Sequence, residues 1–249
     1  MKWRIIPLET HDAFMNMAID EAISETVASG ESLPTIRFYR WKPSAVSIGY
    51  FQSLEGEVNV EECKARGIDV VRRRTGGGAV YHDHDNEITY SVILPESAMT
   101  LGITESYHEI CGWIIKGLAQ LGIEAEFKPI NDVITGGKKI SGNAQTRRGR
   151  VILQHGTILY GVDLHTMFTV LKVSAEKISD KMIAAAEERV TSVNRIKPEL
   201  SYEDVLNALI ASFIDGKETE EGILSEHEKK RAEELVKERY QSAAWNSLR

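Results

Sequence analysis

The stretch Arg72-Arg73-Arg74-Thr75-Gly76-Gly77-Gly78-Ala79-Val80-Tyr81-His82-Asp83, or RRRTGGGAVYHD, decides how the rest of the chain reads. Gly67-Ile68-Asp69-Val70-Val71 enters it as a strand and Ala79-Val80-Tyr81 resumes extended character after it, so the glycines form a loop between strands. Glycine has no Cβ, so three in succession let main-chain N–H groups approach an anion or a carboxylate closely. The arginines add guanidinium forks, and because strand neighbours face opposite ways, only one or two of them reach a common ligand. Taken alone, the run is more simply a tight turn with solvated arginines, since it matches neither GxxxxGKS/T nor GxGxxG.

Two further clusters change that balance. One is Asn131-Asp132-Val133-Ile134 with Gly136-Gly137-Lys138-Lys139-Ile140-Ser141-Gly142-Asn143-Ala144-Gln145, and the other is Gln154-His155-Gly156-Thr157. With Phe14 to Glu21, Arg37-Phe38-Tyr39, Gly49-Tyr50-Phe51-Gln52, Lys237 to Tyr240 and Trp245-Asn246, the ordered motifs resemble the lipoate-protein ligases and lipoyl or octanoyl transferases, relatives of biotin-protein ligase. The resemblance covers nearly the whole chain. It implies an α+β fold: a mixed β-sheet flanked by helices, like the class II synthetase-like catalytic domain of biotin and lipoate ligases. Residues 1–249 then form one catalytic domain with no C-terminal accessory domain.

Composition sets limits on the function. A chain of 249 residues, 42% hydrophobic and 27% charged, buries a full core, and six scattered prolines mark no linker. No apolar run approaches a membrane span and Met1 to Ile6 is too short for a signal sequence, which predicts a soluble, cytoplasmic protein. A net charge of -7 argues against nonspecific nucleic-acid binding, and the basic islands Arg72–Arg74, Lys138-Lys139 and Arg147–Arg150 suit a small anion. Cys63 and Cys111, alone in helical patterns, read as buried structural thiols.

Along the chain, Asp12 caps a helix whose stripe is Met15, Ala18, Ile19, Ala22 and Ile23, ending at Gly30; Asn16, Asp20 and Glu21 read as solvated positions on it. Ile36 to Trp41 and Ala45 to Tyr50 are strands joined by Lys42-Pro43-Ser44, and Asn59 to Ala65 is a short helix. Ile88 to Leu94 alternates as a strand. His82 and His84 share a face but lack the third and fourth ligands that a metal site needs, so a polar turn supporting the glycine loop is the better reading. Thr104 or Ser106 caps a helix carrying Ile110, Trp113, Ile114 and Leu118. Val133 to Ser141 is a hairpin through Gly136-Gly137, so one of Lys138 and Lys139 points into a site while the other meets solvent. Val151 to Tyr160 is a long strand, on which His155 reads as a structural residue rather than a base. Helices follow at Leu164 to Leu171, Glu176 to Ala186, Tyr202 to Ile214 capped by Ser201, and Glu226 to Tyr240 capped by a Ser225–Glu228 box, with Glu228 among its solvated charges.

A free carboxylate does not acylate an amine at neutral pH and must first be activated, and the protein's contribution is positioning and charge stabilisation. The resemblance implies an ATP-dependent lipoate-protein ligase that makes an acyl-adenylate and passes lipoate or octanoate to a lysine of a lipoyl domain, as in a 2-oxoacid dehydrogenase acyltransferase subunit or the glycine cleavage H protein. By the same resemblance Lys139 is the catalytic residue, and Arg72 and Arg73 hold the triphosphate. Gly76, Gly77 and Gly78 line the acyl tail and adenylate, Asp20 lies near the acyl pocket, and Asn131 and Asp132 lie near the nucleotide, Asp132 helping to hold Mg²⁺. Thr75, Tyr81, His82, Ser141, Gly142, His155, Gly156 and Thr157 complete the expected lipoate and adenylate site. ATP and Mg²⁺ are the expected cofactors, and a separate small subunit is the expected partner for adenylation. The alternatives are a transferase that draws octanoate from acyl carrier protein through a cysteine thioester, and a non-catalytic lipoyl-binding paralogue or regulator. Glu126 to Asp132 and Arg150 to Gly156, where related transferases keep that cysteine, contain none, which favours the ligase.

Overall fold

The alternation in Ile88 to Leu94 sorts this strand's side chains between two cores. Ile88, Tyr90, Val92 and Leu94 join one buried cluster, while Ile93 joins another on the opposite face. In the computed structural model, which describes residues 1–172 and 180–249, that strand lies at the middle of a large sheet. The strands are β1 (Lys2–His11), β2 (Thr35–Trp41), β3 (Ala45–Ile48), β4 (Asp69–Arg72), β5 (Val80–His82), β6 (Glu87–Pro95), β7 (Glu126–Lys128), β8 (Asp132–Thr135), β9 (Lys138–Arg148), β10 (Val151–Leu159) and β11 (Glu218–Glu221).

Eight of them form a sheet in the order β11-β1-β2-β6-β10-β9-β8-β7. β1 is parallel to both its neighbours and the other pairings are antiparallel. Helices Ile103–Gln120 and Tyr202–Ile214 cover one face, burying Ile110, Ile114, Val205, Leu209 and Phe213 against Phe38 and Tyr90. Helices Ala13–Ser29 and Glu226–Leu235 cover the other with Ala18, Ile19, Ala22, Ala232 and Leu235. This is the mixed sheet flanked by helices that the sequence predicts.

Although Lys42-Pro43-Ser44 joins them, Ile36–Trp41 and Ala45–Tyr50 do not pair. β2 stays in the large sheet, while β3 is the centre of a second sheet ordered β4-β3-β5. β4 lies parallel to β3 and β5 antiparallel, so the glycine segment carries the chain from one side of β3 to the other, across its end. There Arg73 N donates to Ile48 O at 3.0 Å and Tyr50 N to Thr75 O at 2.9 Å. Gly49 is required because a Cβ would lie 2.1 Å from Gly77 O.

Other boundaries shift for local reasons. Gly102, rather than Thr104 or Ser106, is the N-cap of helix Ile103–Gln120. The helix from Glu226 changes to a π turn over Val236–Tyr240. The helix expected over Glu176 to Ala186 lies partly outside the described residues, within which the helix is Asp180–Glu187. β7 and β11 carry little apolar alternation to announce them. Among the described residues no helix is long and apolar enough to cross a membrane.

Candidate active site

A cavity of about 310 Å³ lies between the two sheets. Its floor is the face of the large sheet on which Tyr39, Trp41, Thr89, His155, Thr157, Gly142 and Ala144 sit, and its cover comes from Ser47, Gly77, Gly78, Ala79, Val80, Tyr81 and His82. Met17, Leu159, Met167 and Leu171 add apolar lining, which suits a hydrocarbon chain. Lys139 also lines this space.

Local strand geometry sets the pose of Lys139. Its N donates to Arg189 O at 2.8 Å, and its carbonyl accepts from Thr191 N at 2.9 Å, so its main chain is held on both sides. Its ammonium meets Asp132 Oδ1 at 2.7 Å, with the two side chains 42% and 31% exposed. A half-exposed pair of this kind is worth at most about 1 kcal/mol, so an acyl carbonyl competes for the ammonium at low cost. Gly142 leaves room for the lysine: a Cβ there would lie 2.8 Å from both Lys139 Cε and Nζ. Lys138 turns away and donates to Glu187 O at 2.7 Å. One lysine points in and the other out, as the strand pattern requires.

Two hydrogen-bonded chains brace the cover against the floor. In the first, Asp20 accepts from Arg37 Nη1 at 3.0 Å and Ser91 Oγ at 2.7 Å, and faces His155 Nδ1 at 3.4 Å. Burial pushes the Asp20 carboxyl up, but the His155 hydrogen bond, the Arg37 charge and Ser91 outweigh it and hold the group below the usual range. An ionised Asp20 only accepts, so Nδ1 of His155 carries the proton and Nε2 accepts from Thr75 Oγ1 at 2.8 Å. Burial lowers the His155 pKa despite Asp20, which keeps the ring neutral at pH 7. In the second chain, His82 joins Ser47 Oγ through Nε2 at 2.8 Å and Glu87 Oε1 through Nδ1 at 2.7 Å, and stacks on Trp41 with centroids 4.0 Å apart.

The expected site residues divide accordingly. Arg73, Gly77, Gly78, Tyr81, His82, Asn131, Lys139, Gly142, His155, Gly156 and Thr157 line the cavity. Asp20 and Thr75 stand one layer behind it through His155, and Gly76 gives its carbonyl to Arg73 Nη2 at 2.8 Å. Asp132 touches the site through Lys139, whereas Ser141 of β9 is fully buried and accepts from Asn143 Nδ2 at 3.4 Å. Asp20, Asn16 and Glu21 are buried, which corrects their reading as solvated.

The triphosphate role for two arginines does not hold. Arg72 is fully buried, and its guanidinium donates to the carbonyls of Gly49, Tyr50, Gln52, Trp245 and Asn246. Arg73 is spent on Ser47 and on the carbonyls of Gly76 and Gly78, and burial lowers it to about 10. It shapes the glycine loop from behind. No group of three His, Cys, Asp or Glu side chains able to hold a metal occurs among the described residues, and the Asp132 carboxylate is paired with Lys139. Reasoning from sequence missed Ser47, Glu87, Thr89 and Asn143; the alternation of β3 and β6 marks the first three, since each lies opposite a core residue.

Residues 12–214 match the model of the lipoyl protein ligase A/B catalytic domain. The chain belongs to that family. Octanoyltransferase LipM of Brevibacillus brevis is 36% identical over 276 residues, covering 100% of this chain and 99% of its own length. Among solved structures, a bi-partite lipoate protein ligase of Thermoplasma acidophilum is 35% identical with a TM-score of 0.90, over 99% of this chain and 96% of that one. A lipoate-protein ligase A bound with ATP is 33% identical with a TM-score of 0.85, over 99% of both chains. The end-to-end match to an octanoyltransferase overturns the expectation of an ATP-dependent ligase. The missing cysteine that favoured the ligase is a fact about the route of transfer and does not decide the reaction.

Proposed function

We propose that this chain is an acyltransferase that moves an octanoyl group from an activated donor to the side-chain amine of a lysine on a lipoyl domain. The observation that carries the reading is the apolar cavity between the sheets with Lys139 on its wall, in a chain 36% identical throughout to an octanoyltransferase. The donor carbonyl sits at Lys139, whose ammonium leaves Asp132 to stabilise charge on the acyl oxygen as the amine attacks. The alkyl tail lies along Thr157, Leu159 and Met17. The lipoyl domain is the proposed acceptor because the Thermoplasma acidophilum relative is described together with its E2 lipoyl domain. A separate small subunit stays a partner to test, since that relative is bi-partite.

The test is mass spectrometry of a lipoyl domain incubated with the chain and an octanoyl thioester of a carrier protein. One octanoyl group on the acceptor lysine, without ATP, is expected. Modification that requires free octanoate and ATP, and does not occur from the thioester, would replace the transferase reading.

A further inference from the structure

Strict alternation along β9 would send the wrong lysine inward. Gly142 and Ala144 sit on the cavity floor, so counting back in twos from Gly142 puts Ile140 and Lys138 on the floor and Lys139 behind it. The structure does the reverse. Asp132 pairs with Gly142 and Val133 with Ser141, but the next residue of β8, Ile134, pairs with Lys139, so Ile140 has no partner on that strand. This is a β-bulge, with one extra residue on β9. Ile140 packs in the core cluster under helix Ile103–Gln120, and its neighbour Ser141 faces the same way, its Oγ 3.4 Å from Asn143 Nδ2. Two consecutive residues turned from the cavity shift the alternation by one. Lys139 therefore reaches the cavity, while Lys138 bonds to Glu187 O outside it.

Asn143 stands beside the bulge with its side chain on the rear of the sheet, 4% exposed. It meets Tyr90 across Gly156, the three residues lying level on β9, β6 and β10. Tyr90 Oη accepts from Gln154 Nε2 at 2.8 Å, so its one proton goes to Asn143 Oδ1 at 2.7 Å. That bond orients the amide, and Nδ2 is left to donate to Asn131 O at 2.9 Å. Asn143 N donates to the same carbonyl at 3.1 Å, and the Asn143 carbonyl accepts from Asn131 Nδ2. Three bonds thus clamp Asn131, next to Asp132, whose carboxylate holds Lys139 Nζ at 2.7 Å. Gly156 belongs to the same device, since a Cβ there would lie 2.0 Å from Asn143 Oδ1 and 2.8 Å from Tyr90 Cε1.

We propose that Asn143 is the positioning residue of this site: from behind the sheet it pins β8 against β9, and so fixes the bulge that turns Lys139, and not Lys138, toward the acyl group. Its side chain acts on the reacting atoms only through Asn131, Asp132 and the bulge. The inference rests on the transferase reading for the reaction it serves, and on the strand geometry alone for the pose of the lysine.

Asn143→Asp tests it, because the shape is kept while the donor to Asn131 O is lost. An octanoyl N-hydroxysuccinimide ester reads the pose of the lysine by peptide mass spectrometry, without any transfer reaction; the acetyl ester, which has no tail to enter the cavity, is the reference. In wild type the octanoyl reagent is expected to favour Lys139 over Lys138 about 10-fold more than the acetyl reagent does, by proximity. In Asn143→Asp that preference should disappear. Transfer to a lipoyl domain should fall about 10-fold in kcat with the donor KM unchanged. Relative to wild type it should recover as pH is lowered, since a buried carboxyl facing a carbonyl takes up a proton and again donates to Asn131 O. Asn143→Ser, shorter but neutral, covers the case in which a buried carboxylate prevents folding, and is expected to lose the preference with no recovery at low pH. A wild type that shows the labelling preference but no transfer supports the pose and discards the transferase reading alone. A preference for Lys139 that survives in the folded variants would overturn the inference, as would a loss of transfer in Asn143→Asp that is the same at every pH.

Discussion

Lys139 is the residue on which the proposed transfer depends, and its surroundings allow a clean substitution. Its side chain is 42% exposed and its ion pair weak, so Lys139→Met leaves the fold intact. Loss of a preorganised donor of this kind costs on the order of 100-fold or more in transfer rate, measured as acylated lipoyl domain formed per minute. Gly142→Ala acts on the same ammonium without removing it. The new Cβ meets Cε and Nζ at 2.8 Å, close enough to push the flexible lysine off its pose. Transfer is expected to fall about 10-fold, because a displacement of roughly an ångström in a catalytic group costs up to 100-fold, while the melting temperature stays near wild type. Wild-type turnover in Gly142→Ala would show that the lysine needs no fixed pose. The sequence reveals Lys139 because KKISG repeats a family motif on a strand whose alternation sends one lysine inward. It does not reveal that Arg72 and Arg73, adjacent and chemically identical, are both consumed by carbonyls. Which guanidinium faces a ligand depends on loops far away in sequence, Gly49 to Gln52 for one and Trp245-Asn246 for both the main chain and the side chain of the same residue.

At the scale of elements, the glycine loop is held by its neighbours more than by its own composition. β4 ends at Arg72, whose N–H donates to Asn246 Oδ1 at 2.7 Å while its carbonyl accepts from Trp245 Nε1 at 2.9 Å. The side chain then collects five carbonyls from the turn after β3 and the C-terminal helix Ala243–Asn246. Arg72→Met keeps an unbranched apolar stem and removes every guanidinium donor, leaving buried carbonyls unpaired. The expected loss is about 3 kcal/mol in urea denaturation, with the turn Gly49 to Gln52 loosened against Gly77 and transfer reduced in parallel. If transfer falls while stability holds, Arg72 acts on the ligand after all. Helix Ala13–Ser29 shows why elements are easier to place than their faces. Asp12 accepts from Met15 N at 2.7 Å and Gly30 closes the helix at a φ of 78°, both as the sequence predicts. Its polar Asn16, Asp20 and Glu21 are nevertheless buried, because Arg37, Ser91, Tyr240 and Arg239 come from three distant segments to satisfy them. A polar residue inside a stripe reads as solvated until its partners are known.

The whole molecule is tied together at Glu228, which the sequence presents as one more charge on a solvated face. It is fully buried. Arg4 of β1 grips it with two bonds, at 2.8 and 2.7 Å, and Thr26, Ser32 and Ser225 N complete its shell. One carboxylate thus joins the edge region of the large sheet, both helices on one face, and the loop that leads into β2. Burial works to raise its pKa, but the Arg4 hydrogen bonds, the Ser225 N–H and the Arg4 charge outweigh it and bring the group down from 4.5 to about 2. A carboxyl lowered on folding stabilises the native state fully above its unfolded pKa and loses that contribution as pH falls through the folded value. The contribution, about 3 kcal/mol, is therefore present at pH 7 and disappears progressively between pH 4.5 and about 2. Glu228→Gln keeps the shape but strands the buried Arg4 cation, and is expected to lower stability at pH 7 by about 3 kcal/mol. Denaturation of both proteins across this range checks the cause: the gap between wild type and variant should be constant from pH 7 to pH 5 and close below it. A gap that persists unchanged to pH 2 would mean that the glutamine fails through packing, and that the charge of Glu228 does not hold these four segments together.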